Sequence, residues 1–448
     1  MTFYSCKQDQ KEIDHETKDL TEYSFLPKDC DWLVMATPQR FVSELFKLDF
    51  DKLELNGGGQ SPPIKDYLAL LGFIDFKSPI ISFFKEDKNV MGLHVPIVDS
   101  AKYVAFLEEN FGVDYVLFNG KKTAKSNDNI GGERFYSQWS ESFAVIVFCP
   151  TFLSKNNTVE QYFNSSNFVD IHSLPVLDQN HLVSYQINLE DSISAIKGLI
   201  LKGNIQLTDS SIILEDRFFI DQQPVDFFRD DVTQEVKNGL ISYKVSLKNA
   251  IKQEIVQLVN LKSIQIGDFL EGWNGNIEGA FMGTDMIQQK YTKEVFDEET
   301  FESKSVVAYR KKEYFNIYAK VGFESNAAAK GVIKYLSDNK LLIKDQDAYT
   351  ALDADYKLNK VFLKGNQIEV ISPSKSDRKT AIKNGLFVHV EAKALHYLNR
   401  RLVPKEFLVY VDFIKRNVQS IEVRDIDNGI RAEIHFNKSF TELINKVW

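Results

Sequence analysis

Residues able to do chemistry are concentrated in one stretch of the sequence. It holds carboxylates, amides and an indole in close succession: Asp268, Glu271, Trp273, Asn274, Asn276, Glu278 and Asp285. An exposed indole can stack on a sugar ring while neighbouring amides and carboxylates bind its hydroxyls. Two carboxylates about 5–10 Å apart would also permit glycoside hydrolysis. We predict a ligand-binding site at Glu271, Trp273, Asn274 and Asn276. The alternative is that Trp273 is an apolar plug beneath a sheet.

No established catalytic or metal-binding motif accompanies this stretch. The sequence contains no G-x-S-x-G elbow for a nucleophilic serine. It also lacks an H-E-x-x-H segment and a paired C-x-x-C, the usual zinc-binding patterns. Residues 119–123 resemble a phosphate-binding loop only superficially, because a glycine is required five residues before Gly120 and Tyr115 stands there. We therefore expect no catalytic residue, no metal and no cofactor.

The N-terminus carries the most specific local signal. Ser5 precedes Cys6, and residues 7–22 are strongly polar without apolar periodicity. A small residue before a cysteine, followed by a charged tether, resembles the cleavage box and linker of bacterial lipoproteins. That resemblance implies an acylated Cys6, and several acyl chains anchor stably at ~0.8 kcal/mol per buried CH₂. Cys6 is then either a lipid anchor, with Cys30 and Cys149 left as a candidate pair, or a plain cytoplasmic thiol.

The charge balance argues against a nucleic-acid partner. The formal net charge is −9 and the pI is near 5.5, whereas binding to nucleic acid depends on Lys and Arg neutralising phosphates. The short run Arg310-Lys311-Lys312 is ended by Glu313 and is interpreted as a solvated face. The longest apolar run, Phe143 to Cys149, has the length of a buried strand and not of a membrane span.

Internal repeats indicate how the elements that position these residues are arranged. Residues 236–240 recur as residues 382–386, an offset of 146, and two apolar helix patterns ending at Asn110 and Asn339 align at an offset of 229. The patterns predict an α+β fold of repeated ferredoxin-like strand-helix-strand modules, with mainly antiparallel sheets and helices on one face. We expect a disordered tether at residues 1–25 and modules at 26–235, 236–380 and 381–448.

Two local signals are sharper than the rest. Asp99 before an apolar helix pattern is typical of an N-cap. Asp427-Asn428-Gly429 between two alternating apolar runs predicts a tight hairpin turn.

The repeated strand-helix pattern, the Asn-Gly-Leu segments at residues 238–240 and 384–386, and Asn399-Arg400-Arg401-Leu402 resemble an uncharacterised family of Bacteroidota envelope lipoproteins. The resemblance implies a lipid-anchored protein of the outer membrane, periplasmic or surface-exposed, and no activity. Our hypothesis is a non-enzymatic envelope lipoprotein that binds a protein partner as an interaction or scaffold module. The alternatives are a carbohydrate-binding or carbohydrate-acting envelope protein and a cytoplasmic binding protein.

Overall fold

Two compact units make up the chain. The computed structural model describes residues 30–40, 43, 72–85, 90–118, 121–127, 133–150, 181–188, 196, 198–229, 234–249, 251–253, 272–351, 359–372, 379–382, 385–397, 408–439 and 442. Unit 1 comprises Met1–Pro224 with Ser439–Trp448, and unit 2 comprises Val225–Lys438. Among the described helices, none combines the length and the apolar character needed to cross a membrane.

Unit 1 is built on one antiparallel sheet. Its strands are β1 (Trp32–Ala36), β2 (Ile80–Lys85), β3 (Val90–Pro96), β4 (Val113–Phe118), β5 (Lys121–Ser126), β6 (Glu133–Trp139), β7 (Phe143–Pro150), β8 (Val183–Asn188), β9 (Leu199–Leu207), β10 (Ser211–Ile220) and β11 (Gln223–Pro224). Neighbouring strands follow the order β4-β5-β6-β7-β3-β2-β1-β8-β9-β10-β11. Helix α1 (Ser100–Phe111) connects β3 to β4.

Helix α1 begins at the predicted cap. The Asp99 carboxylate accepts a hydrogen bond from the Lys102 backbone N–H at 3.0 Å, and this bond lowers the pKa of Asp99 below its usual range. Tyr103 and Leu107 lie four residues apart on one helix face and are buried. The helix ends at Gly112, whose φ of 53° is a left-handed conformation that glycine adopts without strain.

The unit 1 sheet buries apolar side chains on both faces. On strand β7, Val145 and Val147 belong to one apolar cluster, while Ala144 belongs to a second cluster that includes Tyr103 and Leu107 of α1. Successive strand residues point to opposite faces. A strand buried on both faces therefore reads as the continuous apolar run that residues 143–149 form.

Unit 2 is also built mainly of antiparallel strands. Its strands are β12 (Gln234–Lys237), β13 (Ile241–Ser246), β14 (Trp273–Asp297), β15 (Glu302–Phe323), β16 (Leu342–Asp345), β17 (Ala348–Ala351), β18 (Lys360–Lys364), β19 (Gln367–Ile371), β20 (Lys379–Ile382), β21 (Leu386–Glu391), β22 (Val418–Ile426) and β23 (Gly429–Phe436). The main order is β16-β17-β18-β19-β15-β14-β13-β21-β22-β23, and β12 pairs separately with β20. The helices are α2 (Asn326–Asp338), a 3₁₀ helix (Ala392–Tyr397) and α3 (Leu408–Asn417).

The two units share one strand order. Placing β1, β2 and β3 on β13, β14 and β15 makes β4–β7 correspond to β16–β19, and β8–β10 correspond to β21–β23, with every neighbour preserved. A helix follows the third strand in both. One backbone hydrogen bond occurs at the matching position in each unit: Ile97 N donates to Ser142 O, and Phe323 N donates to Asn366 O, both at 2.8 Å. The side chains of Asn110 and Asn339 each donate to the carbonyl four residues earlier, at 2.9 Å.

The predicted α+β class with ferredoxin-like modules is wrong. The described chain consists mostly of antiparallel strands with few helices, and most strands belong to one large sheet in place of repeated strand-helix-strand modules. The short repeat at an offset of 146 residues led to the wrong prediction of separate modules, because its two copies lie on strands that pair with each other. Strands β12 and β20 pair with each other, as do β13 and β21, so similar sequences lie side by side. The described strands β21, β22 and β23 pair in succession onto β13.

Strands β14 and β15 extend far beyond their neighbours. Strand β13 pairs with β14 only over Asn276–Phe281, and β19 pairs with β15 only over Tyr318–Gly322. From the Thr284–Phe315 pair outward, β14 and β15 pair only with each other among the described residues. We call residues 284–315 the arm. Its fourteen residue pairs at ~3.4 Å each give a two-stranded ribbon of roughly 45 Å. The corresponding strands β2 and β3 of unit 1 have only 6 and 7 residues.

Candidate functional site

The base of the arm is held in a defined geometry. Between Phe281 and Thr284 the register shifts, and Gly283 adopts a φ of 95° there. Such a bulge bends a strand and redirects the residues after it. Asn316, which is buried, accepts a hydrogen bond from the Ser372 hydroxyl at 2.6 Å. These constraints fix the direction in which the arm leaves the sheet.

A second side chain closes the strand edge at the same level. The Asn359 amide donates to the Phe315 carbonyl at 3.1 Å and is itself buried. Phe281 contacts both Phe315 and Tyr397, with ring centroids 6.0 and 5.3 Å apart. The arm therefore begins at an aromatic and amide layer, beyond which both of its strand edges lack a described strand partner.

The arm exposes an unusual amount of apolar surface. Of the 17 large apolar side chains that are exposed in the described part of the chain, nine lie between residues 286 and 309. Met286, Phe296, Val307 and Tyr309 share one face by the strand register, and Ile287, Tyr291, Val295 and Val306 share the other. At the tip, Phe301 is 79% exposed and contacts Phe296 edge to face. A concentration of exposed apolar groups on one element marks a binding surface.

Charge is distributed unevenly along the arm. Near its base four basic residues form a belt without an acid among them: Lys290, Arg310, Lys311 and Lys312. Near its tip four glutamates accumulate: Glu294, Glu298, Glu299 and Glu302. The Arg310 guanidinium lies 5.4 Å from the Tyr291 ring centroid and donates to Gln289 at 3.1 Å, so the belt is oriented by its neighbours.

The predicted binding residues lie at the opposite end of β14. Trp273 is buried, with 8% exposure, and its indole N–H donates to the Asn276 carbonyl at 2.8 Å. The indole therefore has no open face for a sugar ring. Asn274 accepts from the Asn276 N–H at 3.0 Å, and Asn276 accepts from the Ser246 hydroxyl. Glu271 lies outside the described residues, and so does Cys6.

Asn274 and Asn276 border an open pocket on the polar face of the unit 2 sheet. Its volume is about 60 Å³, and it is lined among others by Glu278, Lys320 and Gln367. Glu278 accepts a hydrogen bond from the Tyr318 hydroxyl at 2.9 Å and lies 3.5 Å from the Lys320 ammonium. Burial, with the charge of Glu278, raises the pKa of Tyr318 above its usual range, so the hydroxyl stays a donor. A carboxylate engaged in this way is poorly suited to act as a general base.

The Glu278 carboxylate belongs to a row of alternating charges across four strands. Lys244, Glu278, Lys320 and Glu369 are successive cross-strand partners on β13, β14, β15 and β19. Superposing the strand registers of the two units, with Ile97 on Phe323, places Met35, Ile81, His94 and Val145 at the same positions in unit 1. One sheet face is thus apolar in unit 1 and ionic in unit 2.

In the described part of the chain no group of three or more His, Cys, Asp or Glu side chains could hold a metal ion.

The arm was missed by sequence reasoning, although the run Arg310-Lys311-Lys312 that was assigned to a solvated face lies on it. The available signal was a long stretch of exposed-type residues with high strand propensity and no turn until residue 298.

Comparisons with known proteins add little. No protein-family model matches the chain, and no curated protein matches it. Among solved structures the chain is similar to crystal form IV of TP0453, with 9% identity, a TM-score of 0.28, and coverage of 44% of this chain and 79% of that one. Crystal form III gives 8% identity, a TM-score of 0.30 and coverage of 53% and 86%. Form I gives 8% and 0.27, with coverage of 46% and 80%. At such scores the likeness carries no inference about function.

Proposed function

We propose that the chain is a non-enzymatic interaction module of the cell envelope, and that the arm is its binding element. One observation carries this proposal: units 1 and 2 share a strand order, yet only unit 2 extends the hairpin between its second and third strands. At a rise of ~3.4 Å per residue, the extension is a ribbon of roughly 45 Å. The fold is complete in unit 1 without such an extension. An element that the fold does not need, with exposed apolar side chains, is best explained by a partner.

The composition of the arm favours a protein as that partner. Met, Tyr, Phe and Arg are enriched at the centres of protein–protein interfaces, and Met286, Tyr309, Phe296 and Arg310 lie on the arm. A two-stranded ribbon also offers main-chain groups along its edges, to which an extended segment can add as a further strand. The sheets would serve as the scaffold that holds the arm.

The envelope location is the less direct part of the proposal. It is supported by Ser5-Cys6 and the polar residues after them, which resemble the cleavage box and linker of bacterial lipoproteins. In this arrangement a lipid at Cys6 anchors the chain to the outer membrane, and the arm is the element that binds a protein partner there. Mass spectrometry of the protein from its native cells tests the anchor: we expect acylated Cys6, and an unmodified Cys6 would refute it.

Site-specific photocrosslinking tests the arm. A photoreactive phenylalanine analogue replaces Tyr309, which is 60% exposed on the arm, or Tyr335, which is 52% exposed on α2. We expect irradiation of intact cells to yield a discrete crosslinked protein species from position 309 and none from position 335. Equal yields from both positions, or none from position 309, would contradict the role of the arm.

A further inference from the structure

The charges along strand β15 of the arm change from acidic near the tip to basic near the base. Along the outer edge of β15, Glu302 lies near the tip, Val306 and Val307 lie in the middle, and Arg310 with Lys311 lies near the base. If a second arm runs antiparallel to the first, its acidic end meets the basic end of the first, and the valines meet at the centre. The edge is complementary to itself under a two-fold rotation.

We propose that the partner of the arm is a second copy of this chain, joined through the β15 edges of the two arms. This rests on the proposed function and names its partner. The result is a four-stranded antiparallel sheet with the order β14-β15-β15-β14. A two-fold interface uses the same patch on both copies, so each favourable contact occurs twice.

The main-chain geometry suits this pairing. Strand β15 is paired with β19 only over Tyr318–Gly322, so no described strand occupies its outer edge between Glu302 and Tyr314. Long exposed edges of this kind are templates for strand addition. An isolated two-stranded ribbon is at best marginally stable in water, whereas four strands stabilise one another.

The side chains select one register. Val306, Arg310 and Glu302 lie on one face of the arm. Placing Val306 opposite Val306 of the second copy sets Arg310 opposite Glu302 of that copy on the same face, and the reverse contact follows by symmetry. An apolar centre between opposite charges has the anatomy of a specific protein interface.

The other edge of the arm fits a second copy less well. On β14 the residue at the corresponding centre is Lys293, which pairs with Val306 across the arm. A second copy joined antiparallel along β14 would place the two Lys293 side chains opposite each other. Like charges directly opposite each other destabilise a strand pair. The tip glutamates likewise oppose insertion into an anionic lipid surface, because the negative surface potential repels them. The β15 edge of a second copy remains the best match.

Charge reversal in the full-length chain tests the proposal. Sedimentation equilibrium should show a dimer for the wild type, and Arg310→Glu or Glu302→Arg alone should weaken dimerisation about tenfold, since each change converts two contacts to repulsion. The double variant restores the pair with its polarity exchanged, and its dimerisation should return to within about threefold of the wild type. Lys344→Glu, on an exposed β16 position, is the matched control and should have no effect.

A wild type that stays monomeric at the highest soluble concentration would overturn the proposal, as would a double variant as weak as the single ones. Either failure is distinguishable from failure of the proposed function. If position 309 still crosslinks to a different protein in cells while the purified chain is monomeric, the arm is a binding element but its partner is not a second copy.

Discussion

The ring of Tyr185 lies across Gly203 of the neighbouring strand, and its hydroxyl donates to the Asp216 carboxylate on the strand beyond. A Cβ at Gly203 would overlap both the ring and the carboxylate. The same relationship recurs where Phe83 covers Gly92 and Tyr243 covers Gly279. Aromatic rings that cover cross-strand glycines compensate for the packing that a glycine lacks and fix the register of the sheet.

Gly203→Ala should therefore destabilise the chain. We expect a loss of about 1–3 kcal/mol in the free energy of unfolding, because the added methyl forces Tyr185 off Asp216. Gly331→Ala is the control with the opposite sign: Gly331 lies within α2 with no atom near its missing Cβ, and alanine should gain about 0.5–1 kcal/mol there. Urea unfolding at neutral pH measures both. A Gly203→Ala chain as stable as the wild type would show that the ring has room to move.

His94 should make stability depend on pH. Burial lowers its pKa from 6.5 to about 3, because the charged imidazolium is poorly solvated beside Phe143 in the unit 1 sheet. Between these two pKa values the unfolded chain binds the proton and the folded chain does not, so stability is present above pH 6.5 and is lost as the pH falls. From pH 7 to pH 5 the loss attributable to His94 is about 2 kcal/mol.

His94→Leu isolates this contribution, since leucine fits an apolar row and does not titrate. Chemical denaturation at pH 7 and pH 5 should show a smaller loss of stability on acidification in the variant than in the wild type. The same pH dependence in both chains would mean that other groups dominate acid destabilisation.

Glu278→Gln should cost more than an ordinary surface change. Glutamine keeps an acceptor for the Tyr318 hydroxyl but removes the negative charge between Lys244 and Lys320, of which Lys244 is 2% exposed. We expect a loss of about 1–3 kcal/mol. Glu369→Gln at the end of the row, whose partner Lys364 is largely exposed, should cost less than about 1 kcal/mol. Thermal unfolding of the two variants compares them directly, and equal losses would count against the buried row as a stabilising element.

Shortening the arm should leave the fold intact. Replacing residues 286–313 with an Asn-Gly turn joins Asp285 to Tyr314, which are paired, by a connection that suits a two-residue hairpin. Because the removed side chains are largely exposed, the free energy of unfolding should change by less than about 1 kcal/mol. Circular dichroism and urea unfolding measure this. A shortened chain that no longer folds would mean that the arm is structural.

Local features of this fold could be predicted from the sequence because they depend on neighbouring residues. The cap at Asp99 and the turn at Asp427-Asn428-Gly429, where Asn428 has a φ of 57°, are set by side chains within a few positions. The sheet order could not be predicted, because β13 pairs with β21 across more than a hundred residues and the similarity of their sequences suggested separate modules.

The candidate site was missed for a related reason. Apolar residues on the arm lie on both faces, so its sequence lacks the alternation that marks a half-buried strand. The predicted site at Trp273 instead reflected composition: indole, amides and carboxylates are close in sequence, but the register buries the indole and directs Asn276 to Ser246.

The shared strand order also tells an engineer where this architecture accepts added sequence. In unit 2 the hairpin between the second and third strands carries an insertion of some thirty residues while its sheet retains every neighbour found in unit 1. The counterpart in unit 1, between Lys85 and Val90, is therefore the position at which a foreign peptide or a reporter could be grafted with least disturbance. A chain with two such extensions would present two independent tethering points from one polypeptide.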